Sequence, residues 1–446
     1  MESSQIIANV THQLKKSNKN ILISENWIYS LDTKSNKRQG WKIHISCNPY
    51  NLHKLIQKAV PILIKLNVDF KVIKSRESFK ELNTDIKQLG KAMTIYPKSN
   101  AIAVNIILSS KPHLRDTVGP RIITDSKISD CDILQYRYGS FSRSYTNSYG
   151  KQASYIIDTH KKKIIDNEGL GYTAPTWLKD PFISAKLSSK NKKNSELNNY
   201  HIKKYLLKQN KIIYLGTLRN KNMEVIIKQA RINFKNDYKE PFQHELLKNE
   251  FKILSKLNGL LGTPKPISLF EEDGIAYSII EAITSTSLYN YIESSYYKCN
   301  ILNDDECLYL ITAVLKLFQK YRQKNLILGD INPNNIIIDD KSNLRFIDFE
   351  YSHFIGEKWY RANTEGFTPP SEFTDLDICR DLYCIFSTIA FITTGRKLYL
   401  NISNTVNLHD DFVDFISKSR PSISHKIEKI FFEIYEQINQ CEDNEC

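Results

Sequence analysis

The cysteines of this chain lack partners in sequence. Eight occur in 446 residues, at 47, 131, 299, 307, 379, 384, 441 and 446, and none forms C-x-x-C. No histidine stands near them at zinc-finger spacing. A disulfide framework and a cysteine-held metal are not expected, and the thiols read as reduced ones of a cytoplasmic protein. Long apolar runs are missing too. The longest, Cys384–Thr393, is too short to span a bilayer. The N-terminus, MESSQIIANVTHQLKK, has no signal-peptide core. No membrane partner is expected. Acidic residues are the minority: 62 Lys and Arg against 49 Asp and Glu leave a net charge of +13. Yet no dense basic arm with interleaved aromatics occurs, which argues against nucleic acid. The charge suits phosphates, nucleotides or an acidic peptide.

What is present points to packed domains. Hydrophobic residues make up 41%, with 25 Tyr and 20 Phe, and the length suggests two or three domains. The most informative stretch runs from Leu326 to Glu350, LILGDINPNNIIIDDKSNLRFIDFE. An apolar run ends at Gly329-Asp330, turn residues follow, and two β-rich runs, Ile336–Ile338 and Leu344–Ile347, flank a polar turn. Asp330, Asn335 and Asp348 are thereby left at loop or strand ends, five and then thirteen residues apart. A phosphoryl transferase needs such a set. One carboxylate orients or deprotonates a hydroxyl, while an amide oxygen and a second carboxylate hold Mg²⁺ against phosphates.

D-x-x-x-x-N followed by D-F-x resembles the catalytic and metal-binding loops of protein kinases. Gly-Asp-Ile-Asn-Pro-Asn-Asn is more similar to the atypical H-G-D-L-x-P-x-N group, which includes small-molecule phosphotransferases and the kinase domains of lanthionine synthetases. Leu328 stands where that histidine would be, and Glu350 replaces the glycine of D-F-G. The resemblance implies Asp330 as catalytic residue, with Asn335 and Asp348 as metal ligands. Upstream, Lys211–Gly216 and Val225–Lys228 read as strands, so Lys228 becomes the strand lysine that contacts nucleotide phosphates. Glu250, in the helical period His244–Leu254, becomes its ion-pair partner. Tyr277–Ile280 would enter a hinge whose backbone near Glu281 binds the base. Asp305–Arg322 reads as an amphipathic helix, and Asp381 as the anchor of the catalytic loop. No G-x-G-x-x-G precedes Tyr214; Leu207–Lys211 stands there instead. A raised nucleotide KM is the expected consequence.

The N-terminal part carries a different pattern. Trp41–Ser46 reads as a strand with Lys42, His44 and Ser46 on one face and Ile43 and Ile45 on the other. Leu52–Leu66 reads as a helix, and Asp69–Ile73 and Met93–Tyr96 as further strands. Lys71, Lys91, Arg121 and Arg137 fall at strand or loop positions. Singly, each of these bases reads as a solvated charge on an edge strand. Together they fit a site that binds a phosphate dianion and removes a proton. The ordered blocks Gly40–Ser46, Phe70-Lys71, Gly90–Pro97, Gly119–Ile122, Tyr136–Gly139 and Trp177–Phe182 resemble the phospho-Ser/Thr lyase domain of class III and IV lanthionine synthetases, itself similar to bacterial phosphothreonine lyases. That resemblance implies Lys71 as the base at Cα and His44 as the acid for the leaving phosphate. Lys42 would stabilise the enolate or tune Lys71, and Lys91, Arg121 and Arg137 would clamp phosphate. A lysine serves as a base only where burial or neighbouring cations depress its pKa.

The expected fold is α+β: an N-terminal phosphothreonine-lyase-like α/β domain over 1–183, a Lys/Ser/Asn-rich linker over 184–199, and a bilobal protein-kinase-like domain over 200–446, divided near 283. The resemblance implies a bifunctional dehydratase of a ribosomally made precursor peptide, with ATP or GTP and Mg²⁺. Leader and core of that peptide, a separate cyclase and self-association are the partners considered. The sixty-odd residues after Asp381 are too few for a cyclase domain. Two alternatives stand beside this: a kinase of free-standing or small-molecule type with an accessory domain, and an impaired pseudokinase scaffold that binds the peptide or a partner synthetase.

Overall fold

The alternating segment around His44 becomes strand β3, Gln39–Ser46, in the middle of a seven-stranded sheet. The computed structural model describes residues 2–17, 19–30, 38–141, 145–146, 152–166, 172–188, 195–208, 211–283, 285–297, 302–339, 342–370, 377–397 and 408–442. They fall into two compact units. The first comprises 1–220, 227–244 and 270–277, and the second 221–226, 245–269 and 278–446.

In the first unit the strands are β1 (Ile21–Ile23), β2 (Trp27–Ser30), β3, β4 (Asp69–Ile73), β5 (Lys91–Tyr96), β6 (Ser126–Ile128) and β7 (Cys131–Ser140). Their order is β1-β2-β4-β5-β3-β7-β6, and every pairing is antiparallel. Helices α1 (Glu2–Lys16), α2 (Leu52–Lys65), α3 (Arg76–Leu82) and α4 (Asn100–Leu114) complete the layer. Ser75 and Ser99 cap α3 and α4, accepting from Ser78 N–H and Ile102 N–H. Period-2 alternation sends Ile43, Ile45, Phe70, Val72, Met93 and Ile95 into one apolar core with residues of α1, α2 and α4. The opposite face receives the polar residues of the same strands. Helices packed on one face of an antiparallel sheet make this the α+β arrangement.

Two loops are drawn tightly onto that sheet. A Cβ on Gly119 would stand 2.8 Å from the Ser46 carbonyl oxygen, and one on Gly90 2.6 Å from Pro120 Cγ. Only hydrogen fits at either place, so the 119–125 loop lies close over the polar face. The linker expected over 184–199 is described at its two ends, 184–188 and 195–199. Leu187 and Ser188 are buried, and Ser188 Oγ donates to the Lys127 carbonyl at 2.9 Å. Residues 189–194 lie outside the described residues.

A second sheet has the order Tyr200–Lys208, Ile212–Leu218, Met223–Arg231, Ile275–Glu281, Pro266–Glu272. The division between the units runs within three of its strands, Met223–Arg231, Pro266–Glu272 and Ile275–Glu281. Gln209 and Asn210, in the Leu207–Lys211 stretch that stands in place of a Gly-rich loop, lie outside the described residues. In the second unit, helix Asp304–Arg322 starts at a capping box formed by Asn303 and Glu306. It shares a core with the buried helix Asp377–Thr394 and with the hairpin Ile336–Ile338/Leu344–Phe346.

Candidate active sites on a polar sheet face and in a catalytic loop

Cross-strand register builds the first site. Tyr29, Lys71, Thr94, His44 and Gln135 stand opposite one another across β2, β4, β5, β3 and β7. Lys42 faces Arg137 two pairs along, and Ser46 faces Lys91. Adjacent strands lie about 4.8 Å apart, which puts the backbones of Lys71 and His44 about 10 Å apart. These strands are central, and the face is covered. His44 is 4%, Lys91 5% and Arg137 2% exposed, while Lys42 and Lys71 are partly open. The solvated edge-strand reading is thus corrected for His44, Lys91 and Arg137, which are buried on interior strands.

His44 Nδ1 is paired with Asp125 Oδ2, and Asp125 is fully buried. The second oxygen of Asp125 accepts from Thr124 Oγ1 at 3.0 Å. Burial pushes His44 down to about 4; Asp125 opposes that, and Lys91 and Lys42 reinforce it. Burial would raise Asp125, but His44, Lys91 and Arg137 hold it well below the usual carboxylate range. The pair therefore rests as carboxylate and neutral imidazole. A dianion arriving among these cations shifts the histidine back toward imidazolium.

The other bases have defined surroundings. Lys71 Nζ lies 3.8 Å from the centre of the Trp27 ring. Arg137 Nη2 is 2.5 Å from Asp166 Oδ1, and its guanidinium lies over Tyr172 at 5.6 Å. Asp166 also accepts from Ser140 N–H at 2.8 Å. Arg121 differs from expectation. Its Nη1 donates to the Ile122 carbonyl and to Gln135 Oε1, its Nη2 to the Asp125 carbonyl and Asp273, and its Nε to Asp273. All five donors are taken by protein acceptors. Arg121 is a brace, and its expected place as a phosphate clamp is corrected for that reason.

The second site is built by the loop before Ile336–Ile338. Asp381 Oδ2 and Oδ1 accept from Leu328 N–H at 2.8 Å and Gly329 N–H at 2.9 Å. Gly329 has φ +77°, and a Cβ there would collide with the Tyr351 carbonyl. This anchoring delivers Asp330. Its carboxylate accepts from Thr364 Oγ1 at 2.6 Å, Asn332 Nδ2 at 3.0 Å and Asn335 Nδ2 at 3.1 Å. Burial raises Asp330 to about 6, against those donors and with help from Asp348. A pKa near neutrality suits a general base. Asn335 Nδ2 also donates to the Asp330 carbonyl at 2.9 Å. That leaves Oδ1 of Asn335, with the Asp348 carboxylate, as oxygen donors suited to a hard cation. Among the described residues no cluster of three or more His, Cys, Asp or Glu stands ready for a metal.

Glu250, on helix Gln243–Leu257 of this unit, is fully buried and accepts from Phe349 N–H at 3.4 Å. Lys228 lies in the first unit on Met223–Arg231 and is 5% exposed. Glu281 is tied to Lys265: its N–H donates to the Lys265 carbonyl at 2.8 Å, and its carboxylate accepts from Lys265 N–H at 3.2 Å. Ala282 N–H goes to the Glu224 carbonyl at 3.1 Å. Those two hinge donors are therefore occupied. Sequence reasoning missed Asp125, Asp166, Asp273, Thr364 and Trp27. Only Gln135 could have been found locally, two residues before Arg137 and hence on its face.

Comparison with known proteins finds two matched segments. Residues 9–194 match the family described as RamC, N-terminal domain, and residues 210–440 match the protein kinase domain. The chain is similar to the probable SapB synthase of Streptomyces coelicolor, 21% identical over 407 residues, covering 88% of this chain and 44% of that protein. It is also similar to mitogen-activated protein kinase 14 of Xenopus laevis, 27% identical over 179 residues, 38% of this chain and 45% of that one. The chain thus spans less than half the length of these two relatives. Among solved structures, the PK-1 kinase of Cydia pomonella granulovirus aligns at 16% identity and TM-score 0.37, over 44% of this chain and 71% of that one. Among the described residues no helix is long and apolar enough to cross a membrane.

Proposed function

The chain belongs to the protein kinase family and carries a RamC-type N-terminal domain, and from that premise we propose a two-step dehydratase of a precursor peptide. The domains would divide near residues 184–199. The kinase site phosphorylates Ser or Thr. Asp330 receives the hydroxyl proton as the oxygen bonds to the γ-phosphorus of ATP or GTP and the nucleoside diphosphate departs. Asn335 and Asp348 would hold Mg²⁺, which neutralises phosphate charge. Lys228 and Glu250 serve the nucleotide side.

The polar sheet face then eliminates the phosphate. Lys71 Nζ removes the Cα proton, the Cα=Cβ bond forms, the Cβ–O bond breaks, and His44 protonates the departing oxygen. Lys91, Arg137 and Lys42 hold the phosphate and the developing enolate. The products are a dehydroamino acid and inorganic phosphate. One observation supports this reading: the Lys71–Thr94–His44 row sets a lysine and a histidine on the same face of the sheet, with Asp125 behind the histidine.

A reduced, cytoplasmic setting fits the free thiols of Cys47, Cys131, Cys307, Cys379 and Cys384. The test is mass spectrometry of a Ser/Thr peptide carrying its leader after incubation with chain, nucleotide and Mg²⁺. Loss of water per residue is expected. Lys71→Ala should accumulate phosphopeptide instead. Stable phosphate addition by the unaltered chain would leave a kinase alone, and no modification would leave the scaffold.

A further inference from the structure

The Arg121 brace reaches outside the segment matched to the RamC domain. Nε and Nη2 donate to Asp273 Oδ2 at 3.1 and 3.0 Å. Asp273 lies in the kinase-matched segment, yet it falls in the first compact unit. It forms the turn between Pro266–Glu272 and Ile275–Glu281, with φ +48°, and Gly274 follows at +75°. A Cβ on Gly274 would stand 3.2 Å from Arg121 Cβ, so turn and guanidinium stem are in close register. Lys127 Nζ also approaches Asp273 Oδ1 at 3.5 Å.

We propose that Asp273 is a positioning residue for the elimination site: by fixing the Arg121 guanidinium it sets the Asp125 backbone, and through it the orientation of His44. This rests on the elimination reading above. The guanidinium is a rigid planar fork. Two of its donors on Asp273 fix its plane, and the other three then reach the Ile122 carbonyl, Gln135 Oε1 and the Asp125 carbonyl. Gln135 Oε1 also accepts from Ile122 N–H at 2.7 Å, so the whole 121–125 loop hangs on this fork. Asp125 is the residue that holds His44. The carboxylate of Asp273 also balances the Arg121 charge. Without it the buried Arg121 cation, joined to the Asp125 carbonyl, is left unbalanced beside a sheet face that His44 shares with Lys42 on its own strand, Lys91 and Tyr96 on β5, Gln135 and Arg137 on β7, Lys71 on β4, and Asp125 from the loop. A residue of the kinase-matched segment thus completes the acid half of the other site.

The test uses the full chain with Asp273→Asn. Asparagine keeps the shape and tolerates positive φ, and Asp273 is 45% exposed, so the fold should survive. The substrate is a chemically phosphorylated Ser peptide, which bypasses the kinase step. Elimination kcat should fall on the order of 10- to 100-fold with KM changed less than about threefold, as for a misplaced rather than missing acid. The acid limb of the pH profile should move to lower pH, because an unbalanced cation disfavours imidazolium. Asp273→Glu should recover part of the rate. Phosphorylation of unmodified peptide and the melting temperature should stay at wild-type values. Wild-type elimination with an unmoved pH profile overturns the inference. So does equal loss of both reactions, which would make Asp273 merely structural. If the unaltered chain itself releases no phosphate, the elimination reading fails, and this inference with it.

Discussion

Replacing Asp125 by Asn removes one negative charge from a place without solvent. Asp125 is fully buried, and its carboxylate faces His44, with Lys91 and Arg137 acting on it. The amide has nearly the same volume, so little cavity term arises. Two electrostatic effects remain. The partner that raises the histidine pKa is gone, while burial, Lys91 and Lys42, which lower it, stay. Imidazolium becomes harder to form when phosphate binds. The amide nitrogen can also face Nδ1 and favour the wrong tautomer. A general acid contributes about 10²- to 10⁴-fold in rate, and losing most of that corresponds to about 3–5 kcal/mol in the barrier. Stability should fall less, by about 1–3 kcal/mol, because the histidine it abandons is neutral in the free protein. The assay is phosphate release from a chemically phosphorylated peptide by the full chain, followed from pH 5 to 9 beside a thermal melt. The kinase reaction on unmodified peptide serves as an internal control and should persist. Elimination within about threefold of wild type across that range would refute the His44–Asp125 acid, since no general-acid contribution of normal size could then have been removed.

Asp330→Asn and Asp348→Asn should each stop phosphorylation yet leave elimination from pre-phosphorylated peptide; a folded Asp348→Asn chain unable to eliminate would defeat the two-site scheme. Inorganic sulfate, a dianion with no titrating proton near neutrality, should bind with uptake of a proton. His44 is neutral above about 4 in the free protein and is raised by the dianion, so affinity should weaken as pH climbs through the raised value. Calorimetry in buffers of different ionisation heat reads this directly, and a buffer-independent heat with flat affinity would contradict it. Gly119→Ala should cost about 1–3 kcal/mol in denaturant stability by forcing a Cβ against the Ser46 carbonyl, and should slow elimination by shifting the end of β3; unchanged values of both would show that the loop yields freely.

What could be read in the sequence was what repeats with a short period. β3 declares itself by alternation, and the same period carries Lys42 and His44 to one face. Asp330, Asn335 and Asp348 are legible because one loop and one hairpin hold all three within nineteen residues. Burial of the basic face was not legible, since the groups that cover it come from afar. Asp125 is 81 positions from His44, Asp166 is 29 from Arg137, and Asp273 is 152 from Arg121. No periodicity spans such gaps, and a lone aspartate in a turn looks the same whether solvated or buried. The same limit explains the misreading of Arg121. Its sequence neighbours suit an anion clamp, but a guanidinium has five donors, and only the fold shows that protein acceptors take them all. Charge type is thus a property of sequence, whereas the charge available to a ligand is a property of the fold. For this chain the difference shows at Arg121, whose donors end on the Ile122 and Asp125 carbonyls, Gln135 and Asp273 rather than in open space.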